Sequence, residues 1–156
     1  MAVDAAWFVD TNILLRMSKS DDPQHSTISG ALRVLVAQDA RLCFTSQILG
    51  EFWNASTCPR GQNGLGLSIT ETDRLARVIK RDFEFLADSR DVHDRWRLLL
   101  VDHEIRGVQV HDTRLAASMF VHGIKQLLTV NVRDFQRFKG LLAIHPADVI
   151  HSKQQP

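Results

Sequence analysis

Three consecutive apolar residues, Trp7-Phe8-Val9, stop abruptly at Asp10-Thr11-Asn12, and the chain turns helical at Ile13-Leu14-Leu15. An apolar run this short, closed by a polar turn and followed by a helix, reads as a strand buried on both faces, as strands of parallel sheets are. Such a strand carries the residue that follows it, here a carboxylate, to the C-terminal edge of the sheet, where open α/β folds bind their ligands. The pattern recurs. Val108-Gln109-Val110-His111 predicts a strand ahead of Asp112, and Asp112 precedes the helical stripe Leu115, Ala116, Met119 and Phe120 by one turn. Leu127-Leu128-Thr129-Val130 predicts another strand, with Asn131 as a helix cap and Asp134 in the first turn of a helix carrying Phe135 and Phe138. Ile48, Phe52 and Ala55 recur at helical spacing, and Glu51 lies on the edge of that stripe, facing inward.

The order along the chain is a strand, helices through Gln38, a strand from Arg41 to Thr45, the Glu51 helix, a loop and two helices. A strand, a helix, a strand, a helix and a last short strand at 143–145 complete it. This alternation predicts an α/β fold with a mostly parallel sheet of about five strands flanked by helices. With 156 residues and 44% hydrophobic content the chain suits one domain, expected over residues 1–150, with residues 151–156 as a polar tail that frays. Pro59-Arg60-Gly61-Gln62-Asn63-Gly64-Leu65-Gly66 is too rich in Gly and Pro for regular structure and reads as a loop. Residues 70–73 resemble a capping box, and a helix over 92–105 offers Trp96, Leu99 and Leu100 to the core.

Several functional classes are excluded or weakened. The loop glycines lack the spacing and the Lys-Ser or Lys-Thr pair of a phosphate-binding loop. Cys43 lies in an apolar strand and Cys58 follows a helix, so their spacing suits neither a metal knuckle nor a disulfide framework, and both are expected as reduced thiols. The apolar runs are short and broken by charge, which predicts no membrane span, no secretory leader after Met1 and a cytoplasmic protein. A net charge of +1 gives no bulk signal for nucleic acid, so a polyanion would have to be held locally. Arg114, Arg133, Arg137 and Lys139 flank Asp112 and Asp134 and are the candidate contacts. Arg74, Arg77 and Arg81 share a helical face that reads as solvated surface.

Asp10, Glu51, Asp112 and Asp134 therefore map to one edge of the sheet. Two carboxylates about 5 Å apart repel by roughly 3 kcal/mol at an effective dielectric of about 20. Several such pairs approach the stability of a whole domain, so bound cations or raised pKa values must relieve them. Oxygen donors without nearby cysteines favour hard ions, Mg²⁺ or Mn²⁺, over zinc.

The set Val9-Asp10-Thr11-Asn12, Glu51, His111-Asp112-Thr113-Arg114-Leu115-Ala116-Ala117 and Thr129-Val130-Asn131-Val132-Arg133-Asp134-Phe135 resembles PIN-domain ribonucleases, particularly VapC-type toxins of toxin–antitoxin modules, over essentially the whole chain. The resemblance implies Mg²⁺ or Mn²⁺ held by Asp10, Glu51, Asp112 and Asp134, with support from Thr11 and Asn131. It implies hydrolysis of RNA, inhibition by a cognate antitoxin protein, and a homodimer, while Arg114 and Arg133 beside the acids are the RNA-contact candidates their position suggests. Asn131 stands where some relatives carry Asp, which puts the second ion in question.

Other readings stay open. Singly, Asp10 suits a turn, Asp112 and Asp134 suit helix N-termini, Asn131 suits a cap, and His111 suits an ordinary strand end. A PIN-like module that binds RNA or protein with little catalysis is one alternative. An aspartate-nucleophile phosphatase built on Asp10 is another, although Asn12 occupies the position where that chemistry wants a second Asp. Trp53 and residues 58–66 suggest a groove for an antitoxin helix, set against plain packing of Trp53.

Overall fold

The computed structural model describes residues 5–153. Five strands form one all-parallel sheet: β1 Ala6–Val9, β2 Arg41–Thr45, β3 Glu84–Leu86, β4 Gln126–Leu128 and β5 Leu142–Ile144, in the order β3-β2-β1-β4-β5. Seven α-helices surround it: α1 Thr11–Met17, α2 His25–Ala37, α3 Ser46–Thr57, α4 Ile69–Asp82, α5 Arg90–Asp102, α6 Gln109–His122 and α7 Pro146–Ser152.

Strand β1 is central, and Phe8 and Val9 are fully buried, as the uninterrupted apolar run requires. Its registers, Phe8 opposite Cys43 on one side and Leu127 on the other, bring the C-terminal ends of β1, β2 and β4 level. The chain progresses outward from β1 to β2 and β3, then returns to add β4 and β5 on the other side. The direction of winding thus reverses between β1 and β4, and the helices that follow those strands diverge there to open a crevice. Helix α6 packs deep: Ala116, Ala117 and Met119 have no exposed surface, and the small alanines let the helix approach the sheet. It ends at Gly123, whose φ of +68° is the left-handed conformation a helix terminus wants.

The expected strand at 108–111 is instead the opening of α6. Val108 has helical backbone angles and is 83% exposed, so no sheet neighbour buries it. A four-residue alternation also fits the first turn of a helix, and here Trp96 donates its indole N–H to the Val110 carbonyl at 2.9 Å. The remaining strand is Glu84–Leu86, a three-residue edge on β2 with Phe85 about half exposed. The cap of α4 lies two residues ahead of the expected box: Ser68 accepts from the Glu71 backbone N–H at 3.1 Å. Helix α5 ends at Asp102 rather than 105. Strand β4 stops at Leu128, although Thr129 still donates its N–H to the Ile144 carbonyl.

Asn131 leads a 3-10 turn, Val132–Phe135, without a side-chain capping bond, so it is not the expected helix cap. Phe135 and Phe138 beyond it are buried, 6.4 Å apart between ring centres. The 59–66 segment is a loop with one 3-10 turn, Arg60–Gln62. Of the expected tail, His151 and Ser152 belong to α7, and residues 154–156 lie outside the described residues, as do residues 1–4, where a leader was considered. Cys43 is a buried thiol and Cys58 a half-buried one. Among the described residues no helix is long and apolar enough to cross a membrane.

Candidate metal centre

Asp10 directly follows β1 and is the N-cap of α1. Only 7% of its surface is exposed. Both carboxylate oxygens are engaged: Oδ1 accepts the Thr11 backbone N–H at 2.7 Å, and Oδ2 accepts the Thr129 hydroxyl at 2.7 Å and the Asn12 amide at 3.0 Å. Burial raises the Asp10 pKa above the ordinary carboxylate value, against the lowering by these three hydrogen bonds, and the charge of Glu51 raises it further.

The donors are themselves fixed. The Val130 backbone N–H donates to Asn12 Oδ1, which sets the amide so that Nδ2 faces Asp10 and Thr129. Thr129 Oγ1 accepts from Asn12 Nδ2 and from the Asn131 N–H while giving its only proton to Asp10, so the hydroxyl is fully used. The ends of β1 and β4 are thereby locked across the point where the strand order reverses.

Glu51, on α3, accepts the Thr11 hydroxyl at Oε2, 2.8 Å, and the Gln47 amide at Oε1, 2.9 Å. Gln47 Nε2 also donates to the His111 carbonyl at 2.8 Å, tying α3 to the first turn of α6. One residue on, the half-buried Asp112 carboxyl is pushed up to about 6 by burial, then by the charges of Asp10, Asp134 and Glu51, with His111 acting the other way. Asp134 is exposed at the rim, in the 3-10 turn after β4.

The chain therefore holds Asp10, Thr11 and Glu51 in direct contact and sets Asp112 and Asp134 within electrostatic range. None of the four carboxylates forms an ion pair with a described Lys, Arg or His. Among the described residues no three His, Cys, Asp or Glu side chains stand close enough to grip one ion as placed. The donor chemistry nonetheless fits a hard cation: the oxygens come from four separate elements, are unpaired by protein cations, and disfavour one another's ionisation.

Of the supporting residues, Thr11 touches Glu51 as above, whereas Asn131 contributes its backbone N–H and carbonyl, with its side chain exposed. Arg114 is paired with Asp88 and lies over the Trp96 ring at 5.8 Å. Arg133 is exposed and has no ion-pair partner among the described residues. Arg137 donates to Gln109. Arg74, Arg77 and Arg81 pair with Glu71, Asp73 and Asp82, as a solvated face does. A cavity of about 380 Å³ forms between Ser18–Asp21 and the 60–67 loop, and the half-buried Trp53 does not line it.

Sequence reasoning missed Thr129, Asn12 and Gln47. Their signals were a small hydroxyl residue where the apolar pair Leu127-Leu128 ends, an amide two positions after Asp10, and an amide one helical turn before Glu51.

Residues 7–141 match the family model described as PIN domain. No curated protein matches the chain. Among solved structures, VapBC2 from Rickettsia felis bound to a promoter DNA fragment is similar with a TM-score of 0.69 and 16% identity, covering 90% of this chain and 98% of that one. DNA-bound VapBC from Salmonella typhimurium gives 0.67 and 17%, over 90% and 98%. VapC20 from Mycobacterium tuberculosis, a toxin that cleaves the sarcin–ricin loop, gives 0.58 and 20%, over 78% and 86%. At these identities the likeness is one of fold.

Proposed function

The chain belongs to the PIN domain family, and on that footing we propose that it is a divalent-metal-dependent ribonuclease acting as the toxin of a toxin–antitoxin pair. The observation that carries this reading is the gathering of Asp10, Glu51, Asp112 and Asp134 at one end of the sheet without a protein cation among the described residues to pair them, where burial first and then the charges of Asp10, Asp134 and Glu51 raise the Asp112 carboxyl. Structural groups rarely accumulate such repulsion without a partner, and sites that bind metals do.

Asp10 and Asp112 are the central ligands in this reading, Glu51 is a ligand or the base that orients water, and Asp134 serves a weaker ion. Mg²⁺ or Mn²⁺ bound there supplies a water of lowered pKa and offsets charge on the phosphate and the leaving oxygen. The chain's own part is positioning. Thr11, Asn12 and Thr129 hold Asp10 to one rotamer, while Gln47 and Thr11 hold both oxygens of Glu51. Arg133, free at the rim, suits an RNA phosphate; Arg114 reaches one only by leaving Asp88. The cognate antitoxin is supported by the VapBC complexes among the similar structures, and the homodimer is carried over from the family resemblance alone. A cytoplasmic location suits an RNA substrate.

The open spacing of the carboxylates favours one competing reading, a module that binds RNA without cutting it. The phosphatase reading is weaker, because the Asn12 amide is committed to Asp10, Thr129 and Val130 and offers no acid for a leaving group. Induction in cells followed by sequencing of newly formed RNA 5′ ends separates these. The nuclease produces new ends that vanish in Asp10→Asn, and identical end profiles in the two strains sink it.

A further inference from the structure

Asp134 also forms part of the wall of an open cavity of about 430 Å³, whose other lining residues are Val130, Asn131, Val132, Arg133 and His145. We propose that this cavity holds one unstacked base of single-stranded RNA next to the scissile phosphate, stacked on the His145 ring and met at its edge by the Asn131 amide. The proposal rests on the nuclease reading for its substrate and extends it to a named subsite.

His145 closes β5 and is the N-cap of α7, where its Nδ1 accepts the Ala147 backbone N–H at 3.1 Å. That bond immobilises the ring and leaves the proton of the neutral imidazole on Nε2, a donor unused by any described residue. An ordered imidazole plane is a stacking platform of the kind single-stranded RNA sites employ. Asn131 is anchored through its main chain, by its N–H to Thr129 and its carbonyl to Asp134, and its exposed side chain retains both a donor and an acceptor. An amide of this kind pairs with the adjacent donor and acceptor on a base edge. The half-buried Val130 and Val132 supply apolar surface for the base, and Arg133, exposed and without an ion-pair partner among the described residues, would meet the adjoining phosphate. Base plane, base edge and phosphate are thus each met by a different residue of one cavity.

The test is fluorescence anisotropy of a labelled single-stranded RNA titrated with the full chain in EDTA, so that no cleavage intervenes. His145→Asn keeps a strong N-cap for α7 but removes the plane and the Nε2 donor. Asn131→Ala keeps the main-chain bonds and removes the amide. Each variant is expected to raise Kd by about five- to tenfold, the loss of one stacked or paired base, with its melting temperature close to wild type. Wild-type affinity in both variants overturns the proposal, as does a wild type that binds no RNA. A protein that binds in EDTA with the expected losses but cuts nothing with Mn²⁺ supports the subsite and sinks the nuclease reading instead.

Discussion

Thr129 gives its hydroxyl proton to Asp10 at 2.7 Å across 119 positions of sequence, joining the ends of two adjacent strands inside the protein. Thr129→Val conserves shape and deletes the donor. It leaves the Asn131 N–H and one Asn12 proton without their acceptor, which costs about 1–3 kcal/mol. It also removes the largest of the influences that lower the Asp10 pKa, so that pKa climbs further. Thermal melting and NMR titration of Asp10 check both effects, with Thr129→Ser retaining wild-type behaviour; an unchanged melting curve in the valine variant refutes the role.

Asp112 gives a pH signature of defined sign. Its carboxyl binds a proton more tightly in the folded chain, near 6, than in the unfolded chain, near 3.8, so folding is favoured as pH falls from 7 through 6 and the penalty is gone below about 4. The effect is at most about 3 kcal/mol, and on the order of 1–2 for a half-buried group still in contact with water. Carboxylates such as Asp22 and Glu84, whose pKa values are lowered, lose stability only at more acid pH. Melting temperature in EDTA should therefore rise on acidification from pH 7 to 5 in the wild type and rise less in Asp112→Asn, where the raised Asp10 carboxyl still contributes. Parallel curves for the two proteins contradict the assignment.

Cation binding is measurable without any substrate. Mn²⁺ at about a hundred times its Kd stabilises a native-only site by about 2.7 kcal/mol, a rise on the order of 5–10 °C for a domain of this size. Asp10→Asn and Asp112→Asn should each abolish the shift. A wild type whose melting point ignores millimolar Mn²⁺ and Mg²⁺ points to the non-cutting module.

The cap of α4 distinguishes two positions by stability alone. Ser68→Ala removes the acceptor of the Glu71 N–H and should cost about 1 kcal/mol, whereas the exposed Thr70 tolerates Ala with little change. Urea midpoints of the two variants decide it; equal midpoints contradict the cap.

Legibility followed burial. Trp7-Phe8-Val9 and the β2 segment announced themselves because a strand covered on both faces must be apolar throughout, and Asp10 was conspicuous at the break. Strand β3 gave no such signal: Glu84-Phe85-Leu86 sits at an edge, is largely exposed, and is too short for periodicity. Residues 108–111 alternate like a strand, yet they open a helix whose Val110 carbonyl receives the Trp96 indole N–H, a contact no local pattern contains. The acids stood out because charge is rare among apolar runs. Thr129, Asn12 and Gln47 did not, since neutral polar residues are common at turns and helix surfaces, and only their distant partners, Asp10, Val130 and His111, give them meaning.

Helix α7 lies against α2, where Gly30 leaves just enough room for Ile150: a Cβ on residue 30 would stand 3.1 Å from the isoleucine Cδ1. The helix that carries Ile150 begins at the His145 cap, so the setting of that cap depends in part on a van der Waals fit between α2 and α7. A side chain at position 30 would press on Ile150 and displace α7 from α2, carrying the start of that helix with it.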